Sequence, residues 1–125
     1  MKTAGLNHLA LLVDDLEKAE RFYSGVLGLA LDRRWSDDGG GTRSVWLTIP
    51  GGAILMLERA MPGSARSDRG WHLLALTIRA ADAASIEAEL SRAGVAVESR
   101  SKHTLYLRDP EGNVVELKQM PTGSA

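Results

Sequence analysis

The feature that most constrains the fold of this chain is an internal repeat. An apolar run at residues 6–13 contains His8, and a second apolar run at residues 71–78 contains His72. Apolar runs of this length, bounded by polar residues, are typical of buried β-strands. A helical pattern and three short strand patterns follow each run. The sequence therefore predicts two copies of a βαβββ module in an α+β fold.

The residue patterns also place the other elements. Apolar stripes at helical spacing lie in residues 16–27 and 83–93, and Gly28 and Gly94 are predicted to end the two helices. The remaining strands are predicted at residues 30–36, 43–49, 53–59, 95–100, 103–109 and 113–119. Glycine-, proline- and aspartate-rich segments separate several of these strands, as is typical of turns.

Length and composition restrict the possible functions. A chain of 125 residues has room for one domain, and we expect module 1 at about 4–60, a linker at 60–70 and module 2 at about 71–120. The absence of Cys excludes disulfides, thiolate metal sites and cysteine nucleophiles. The net charge of −1 without charged runs predicts neither a nucleic-acid partner nor a membrane partner. The apolar stretch at 9–13 is too short for a signal peptide, so the default expectation is a cytoplasmic protein.

The repeat predicts a metal site. Superimposing residues 53–57 on 113–117 pairs Met56 with Glu116, as His8 pairs with His72. The separations agree closely, with 48 residues between His8 and Met56 and 44 between His72 and Glu116. A two-fold arrangement would bring the four positions toward one axis. Three of them hold good ligands for a divalent ion, which would keep open positions for water or substrate.

Structural roles are the alternatives for these residues. A single His in an apolar strand is more often a core residue than a ligand, and Glu116 could pair with an Arg on a strand face. The occurrence of these residue types at equivalent positions favours the metal site. Met56 is a weak ligand that could simply fill a gap in the core. Glu58 shares the face of Met56 and is a reserve ligand, and His103 is predicted to lie on the surface.

Four segments resemble the vicinal oxygen chelate superfamily, which includes glyoxalase I, bleomycin-resistance proteins, fosfomycin-resistance thiol transferases and extradiol dioxygenases. They are GLNHLAL at 5–11, DDL at 14–16, FYSGVLGL at 22–29 and YLRDPEGNVVEL at 106–117. The resemblance implies that the modules curl into a half-open barrel around a divalent metal, and that the protein is a homodimer, sometimes with exchanged modules. It also implies that the metal ligands are His8, His72 and Glu116.

The chain departs from individual members of this superfamily. Glyoxalase I has a fourth ligand, a glutamate, where this chain has Met56. Fosfomycin-resistance enzymes have a threonine where this chain has Ala10, and an arginine that binds phosphonate beyond the last ligand, whereas no Arg follows Glu116 here. Extradiol dioxygenases usually have additional histidines near the metal.

Strand alternation identifies further pocket residues. Trp46 and Thr48 are predicted to face the pocket with Met56, and His72 would share its face with Leu74 and Leu76. Trp46 could equally belong to the core. Trp35 is predicted at an edge of the pocket. The resemblance implies that the phenol of Tyr106 faces the pocket, where it could bind substrate and act in catalysis with Glu116; a core role is the alternative.

Two functions follow from these predictions. The first is a metalloenzyme that chelates a small substrate through adjacent oxygens, with Zn, Mn, Fe, Ni or Co as the ion and lyase, dioxygenase or thiol-transferase chemistry. The second is a bleomycin-resistance-type protein that sequesters a drug-like molecule without catalysis. Retention of all three ligand residues favours the enzyme.

Overall fold

The computed structural model describes Lys2, Ala4, residues 6–61 and residues 73–119. His72 and most of the predicted linker lie outside the described residues. Backbone contacts divide the chain into two compact units, Met1–Ala65 and Arg66–Ala125. We refer to these units as module 1 and module 2.

Module 1 is a four-stranded mixed sheet with one helix. Its elements are β1 (His8–Val13), α1 (Leu16–Glu20, continued by a π-helical segment at Arg21–Val26), β2 (Ala30–Ser36), β3 (Thr42–Thr48) and β4 (Ile54–Arg59). The strand order is β1-β4-β3-β2. Strand β1 is parallel to β4, and the other neighbouring strands are antiparallel.

Module 2 repeats this topology. Its elements are β5 (Leu74–Ile78), a 3₁₀ turn (Ala80–Asp82), α2 (Ala83–Arg92), β6 (Ser99–Ser101), β7 (Thr104–Arg108) and β8 (Val114–Gln119). The strand order is β5-β8-β7-β6, with β5 parallel to β8 and the other pairs antiparallel. The predicted α+β fold with two βαβββ modules is therefore confirmed.

Alternation along the strands separates a buried face from an open face in each sheet. Helix α1 contacts β3 and β4 of module 1. The residues of module 1 with less than a tenth of their surface exposed include Val13, Leu16, Ala19, Phe22, Tyr23, Val45, Leu47, Leu55 and Leu57. In module 2 they include Leu90, Leu105, Leu107, Val115 and Leu117. We call the opposite side of each sheet its open face.

The helix ends agree with the sequence prediction. The side chain of Asp15 accepts a hydrogen bond from the backbone N–H of Lys18 at 3.0 Å and so caps the start of α1. Gly28 and Gly94 follow the two helices with φ values of +77° and +74°. Because this left-handed backbone conformation strains any residue with a Cβ, glycine ends each helix at little cost.

One strand is shorter than predicted. The sequence predicts a strand at residues 95–100, but β6 covers only Ser99–Ser101. The backbone N–H of Val95 still bonds to the carbonyl of Leu90 in α2, at 2.9 Å. The backbone N–H of Glu98 bonds to the carbonyl of Tyr106 in β7 at 2.9 Å, so pairing with β7 begins only just before β6. The helices in the described part of the chain are each too short or too polar to span a bilayer.

Candidate metal centre and open faces

The open face of module 1 brings several predicted site residues together. Strand register aligns Ala10, Met56, Trp46 and Arg33 in one row across the four strands. The adjacent row contains His8, Ile54, Thr48 and Ala30. Trp46, Thr48 and Met56 are half-buried and His8 is exposed, whereas the residues between them along the strands point to the buried face. The register therefore places four predicted site residues on the same face of the sheet: His8, Trp46, Thr48 and Met56.

His8 is oriented by its neighbour. Its Nδ1 lies 2.7 Å from Oδ1 of Asn7. Because an amide oxygen only accepts hydrogen bonds, Nδ1 donates, and the lone pair of the neutral ring is then on Nε2. A second partner that fixes the tautomer in this way is typical of metal-binding histidines. This hydrogen bond therefore leaves Nε2 as the ring nitrogen of His8 whose lone pair is available.

The open face of module 2 contains the equivalent row. Register aligns Ala75, Glu116, Tyr106 and Ser99, in the positions that Ala10, Met56, Trp46 and Arg33 have in module 1. Glu116 and Tyr106 are half-buried and lie directly opposite each other on neighbouring strands. Side chains in such cross-strand pairs have Cβ atoms about 5 Å apart. The two residues predicted to act in catalysis are thus neighbours.

No Lys, Arg or His among the described residues forms an ion pair with Glu116. Ion pairs among the described residues of module 2 include those of Arg100 with Glu87 and of Arg108 with Glu98. Removing a carboxylate from water is costly unless a cation or hydrogen-bond donors compensate it. A cation bound beside Glu116 would therefore stabilise its carboxylate.

The register of β5 bears on His72. Ala75 pairs with Glu116 as Ala10 pairs with Met56, so the residue two positions before Ala75, which is Leu73, corresponds to His8. His72 lies one position further toward the N-terminus and outside the described residues.

Leu74 and Leu76 were predicted to share the pocket face, and this prediction is wrong. Leu74 pairs with Val115 and Leu76 with Leu117. Paired residues on neighbouring strands face the same side of a sheet, and Val115 and Leu117 are buried, so Leu74 and Leu76 lie on the buried face.

A cluster of Arg33, Trp35 and Trp46, which we call the Trp–Arg cluster, lies on the open face of module 1. The guanidinium carbon of Arg33 is 5.6 Å from the ring centre of Trp46 and 5.8 Å from that of Trp35. The two indole rings are 5.8 Å apart. The indole N–H of Trp46 donates to Oγ of Ser44 at 3.0 Å. Trp46 thus lies half-buried on the open face, in contact with Arg33 and Trp35.

Sequence reasoning missed Arg33 because its orientation depends on a β-bulge. The pairing of β2 with β3 shifts by one residue between Leu31 and Arg33, so Asp32 is not paired with any residue of β3. Without the shift, alternation from Ala30 would turn Arg34 toward the open face. Because of the shift, Arg33 lies on the open face beside Trp46. Arg34 instead lies on the buried face, where it forms an ion pair with Glu20 of α1. The segment DRRW contains no signal that distinguishes the two arginines.

The other predicted residues take less central positions. The hydroxyl of Thr48 donates to the carbonyl of Ala30 at 3.2 Å, so it already holds β2 against β3. Glu58 is half-buried and pairs with Leu12 and Ser44, one row beyond Met56 and further from His8. His103 is exposed, as expected of a surface residue.

Two of the predicted metal ligands, His8 and Glu116, lie within the described residues. Within residues 6–61 and 73–119, no three His, Asp or Glu side chains are close enough to one another to hold a metal. That range contains only two of the three predicted ligands, since His72 lies outside it. The Nε2 of His8 and the carboxylate of Glu116 are each suitable for metals that accept nitrogen and oxygen ligands.

Comparison with known proteins gives a consistent picture. A family model described as the glyoxalase/bleomycin resistance protein/dioxygenase superfamily matches residues 5–117. The glutathione transferase FosA of Serratia marcescens is 29% identical over 116 residues, which cover 90% of this chain and 78% of that protein.

Two solved structures show the same fold. Lactoylglutathione lyase from Agrobacterium tumefaciens has a TM-score of 0.72 at 24% identity, covering 95% of this chain and 96% of that one. A variant of the fosfomycin resistance protein FosX from Listeria monocytogenes, complexed with Mn(II) and 1S,2S-dihydroxypropylphosphonic acid, has a TM-score of 0.76 at 18% identity. That match covers 94% of this chain and 93% of the other. The repeated modules and the family match together establish that this chain belongs to the glyoxalase/bleomycin resistance protein/dioxygenase superfamily.

Proposed function

We propose that this protein is a metal-dependent enzyme that acts on a small organic substrate bearing adjacent oxygens. The observation that carries the proposal is the position of Glu116. It is a half-buried carboxylate on the open face, beside the Tyr106 phenol, without an ion-pair partner among the described residues. The FosX structure with Mn(II) and a dihydroxy phosphonate supports both the class of ion and the class of substrate.

The proposed ligands are His8 through Nε2, Glu116 through its carboxylate, and His72. Two imidazoles and one carboxylate suit Zn, Mn, Fe, Ni or Co. An ion bound there would supply Lewis acidity toward the substrate oxygens. The register of β5 sets one requirement, since His72 can share the face of Glu116 only if one residue bulges out between His72 and Leu74.

The surrounding residues would bind and orient the substrate. Asn7 fixes the ring of His8, and Tyr106 can donate a hydrogen bond from its phenol to a substrate oxygen. Met56 and Trp46 provide an apolar wall that excludes water from one side. Lyase, dioxygenase and thiol-transferase reactions are all compatible with this set of groups.

A second candidate function is binding without catalysis, as in bleomycin-resistance proteins. The specific observation that favours it is the register of β5, which gives Leu73 the position equivalent to His8. Since Met56 holds the position equivalent to Glu116, regular strands would leave only His8 and Glu116 of the predicted ligands on the open faces. A site with only two ligands would hold metal weakly.

Metal analysis of the purified protein separates the two functions. We expect about one divalent ion per chain in the wild type and in the matched control His103→Ala, because His103 is exposed and lies outside the site. His72→Ala should lose the ion while its circular dichroism spectrum stays unchanged. Equal metal content in His72→Ala and the wild type would refute the ligand assignment. A metal-free wild type, after growth with all five metals, would favour the binding protein.

A further inference from the structure

The β-bulge at Asp32 gives module 1 an exposed cation on its open face. Arg33 is the one Arg or Lys that the described strands of module 1 place on this face. Its side chain is 55% exposed, and its two aromatic neighbours lie on the same face. Bulges commonly occur where a protein redirects a side chain toward a site.

The Trp–Arg cluster holds the guanidinium in a defined position. Contact with two indole rings stabilises the cation and restricts its motion. The Nε of Arg33 is 3.0 Å from a carboxylate oxygen of Asp32. A guanidinium has five N–H donors in a rigid fork, so this bond leaves the two terminal nitrogens to bind another group. Such an edge suits the paired oxygens of a carboxylate or phosphonate.

The strand register fixes the spacing between this cation and His8, one of the proposed metal ligands. Arg33 is in the same row as Met56, two strands away, which is roughly 10 Å across the sheet. The row of His8 is adjacent to that of Met56. His8 lies on β1, one strand beyond Met56, so the backbones of Arg33 and His8 are roughly 15 Å apart across the sheet. The surface between them is lined by Trp46, Met56 and Thr48, and a small organic molecule would lie between the ends of the two side chains.

We propose that Arg33, held by Trp35 and Trp46, is a specificity-determining residue that binds the anionic group of a small organic carboxylate or phosphonate. This inference rests on the proposed function, in which the other end of the same molecule presents adjacent oxygens to the ligand residues. Trp46 has two roles here, since one part of the indole supports the guanidinium and the rest borders the pocket.

The test measures anion binding to the full chain in the presence of EDTA, so that no metal contributes. Phenylphosphonate, benzoate and the neutral benzamide are titrated at constant ionic strength, with calorimetry and tryptophan fluorescence as readouts. We expect the two anions to bind and benzamide not to bind. Arg33→Gln should weaken anion binding at least tenfold, which is about 1.4 kcal/mol. Arg33→Lys should be intermediate, because Lys keeps the charge but lacks the fork.

Arg43→Gln is the matched control. Arg43 is also an exposed arginine of this sheet, but alternation from Ser44 places it on the opposite face. This variant should bind the anions within twofold of the wild type. Equal binding by Arg33→Gln and the wild type, an equal loss in Arg43→Gln, or binding of benzamide as tight as that of benzoate would overturn the proposal.

Metal content, measured separately, distinguishes failure of this inference from failure of the proposed function. Arg33→Gln should contain as much metal as the wild type, because Arg33 is not a ligand. Loss of anion binding in this variant with normal metal content supports the inference. A wild type that binds no metal but still binds benzoate through Arg33 refutes the metalloenzyme and supports the anion site.

Discussion

The substitution Met56→Glu tests whether the two modules contribute equivalent positions to one site. Met56 lies between Ala10 and Trp46, as Glu116 lies between Ala75 and Tyr106. If the site is two-fold symmetric, the new carboxylate joins the ligand residues and increases their negative charge. Hard divalent ions should then bind more tightly.

The expected magnitudes follow from the half-buried position of Met56. Without metal, a carboxylate there should cost about 1 kcal/mol, the lower end of the range for polar groups without partners. For a chain of this size that lowers the melting temperature by about 4 °C. Metal at a hundred times its dissociation constant stabilises the native state by about 2.7 kcal/mol. Tenfold tighter binding adds about 1.4 kcal/mol, or roughly another 5 °C.

The assay is thermal unfolding with EDTA and with increasing Zn or Mn. Met56→Gln is the control, since it has nearly the same shape as the Glu variant but adds no charge. We expect metal to stabilise Met56→Glu more than the wild type and to stabilise Met56→Gln no more than the wild type. A Glu variant that is destabilised without metal and does not respond to metal would refute the equivalence of positions 56 and 116.

Three further predictions concern the scaffold. Leu57→Ala removes a fully buried side chain from module 1 and should lower the free energy of unfolding by about 2–5 kcal/mol in urea titrations; a loss below 1 kcal/mol would contradict the assigned core. Asp109→Ala removes the acceptor of hydrogen bonds from the backbone of Glu111 and from the backbone and side chain of Asn113, and should cost about 2 kcal/mol in the same assay. We also expect a homodimer, as the family resemblance implies, and light scattering that detects only monomer at micromolar concentration would contradict this.

The repeat made the fold predictable from the sequence. Each sequence signal predicts one kind of element. The apolar runs around His8 and His72 predict buried strands, and the apolar stripes that end at Gly28 and Gly94 predict helices. The glycine-, proline- and aspartate-rich segments predict the turns between strands. Both modules contain the same order of signals, so each supports the prediction for the other. The structure accordingly has two sheets with the same strand order.

Register defects limited the prediction of the candidate site. Alternation assumes that every residue advances the strand by one position, and the bulge at Asp32 breaks this rule and turns Arg33 outward. The same assumption put Leu74 and Leu76 on the pocket face, whereas the register with β8 puts them on the buried face. Bulges depend on pairing with a neighbouring strand, and that information is not contained in the segment itself.

Regular pairing makes alternation informative on β3. This strand is in continuous register with β4 from Ser44 to Thr48, so counting in steps of two puts Trp46 and Thr48 on one face, and the register places them beside Met56 and Ile54. The contact between Trp46 and Arg33 was not predictable, because it joins strands β2 and β3 across the bulge.

The most direct test of the central proposal is a crystal structure with zinc, with data collected at the zinc absorption edge. We expect one anomalous peak per chain, about 2.0–2.2 Å from Nε2 of His8, a ring nitrogen of His72 and a carboxylate oxygen of Glu116. The same map should show one residue bulged out between His72 and Leu74. The absence of a peak at His8 and Glu116 at saturating zinc, or a peak there without His72, would contradict the three-ligand centre.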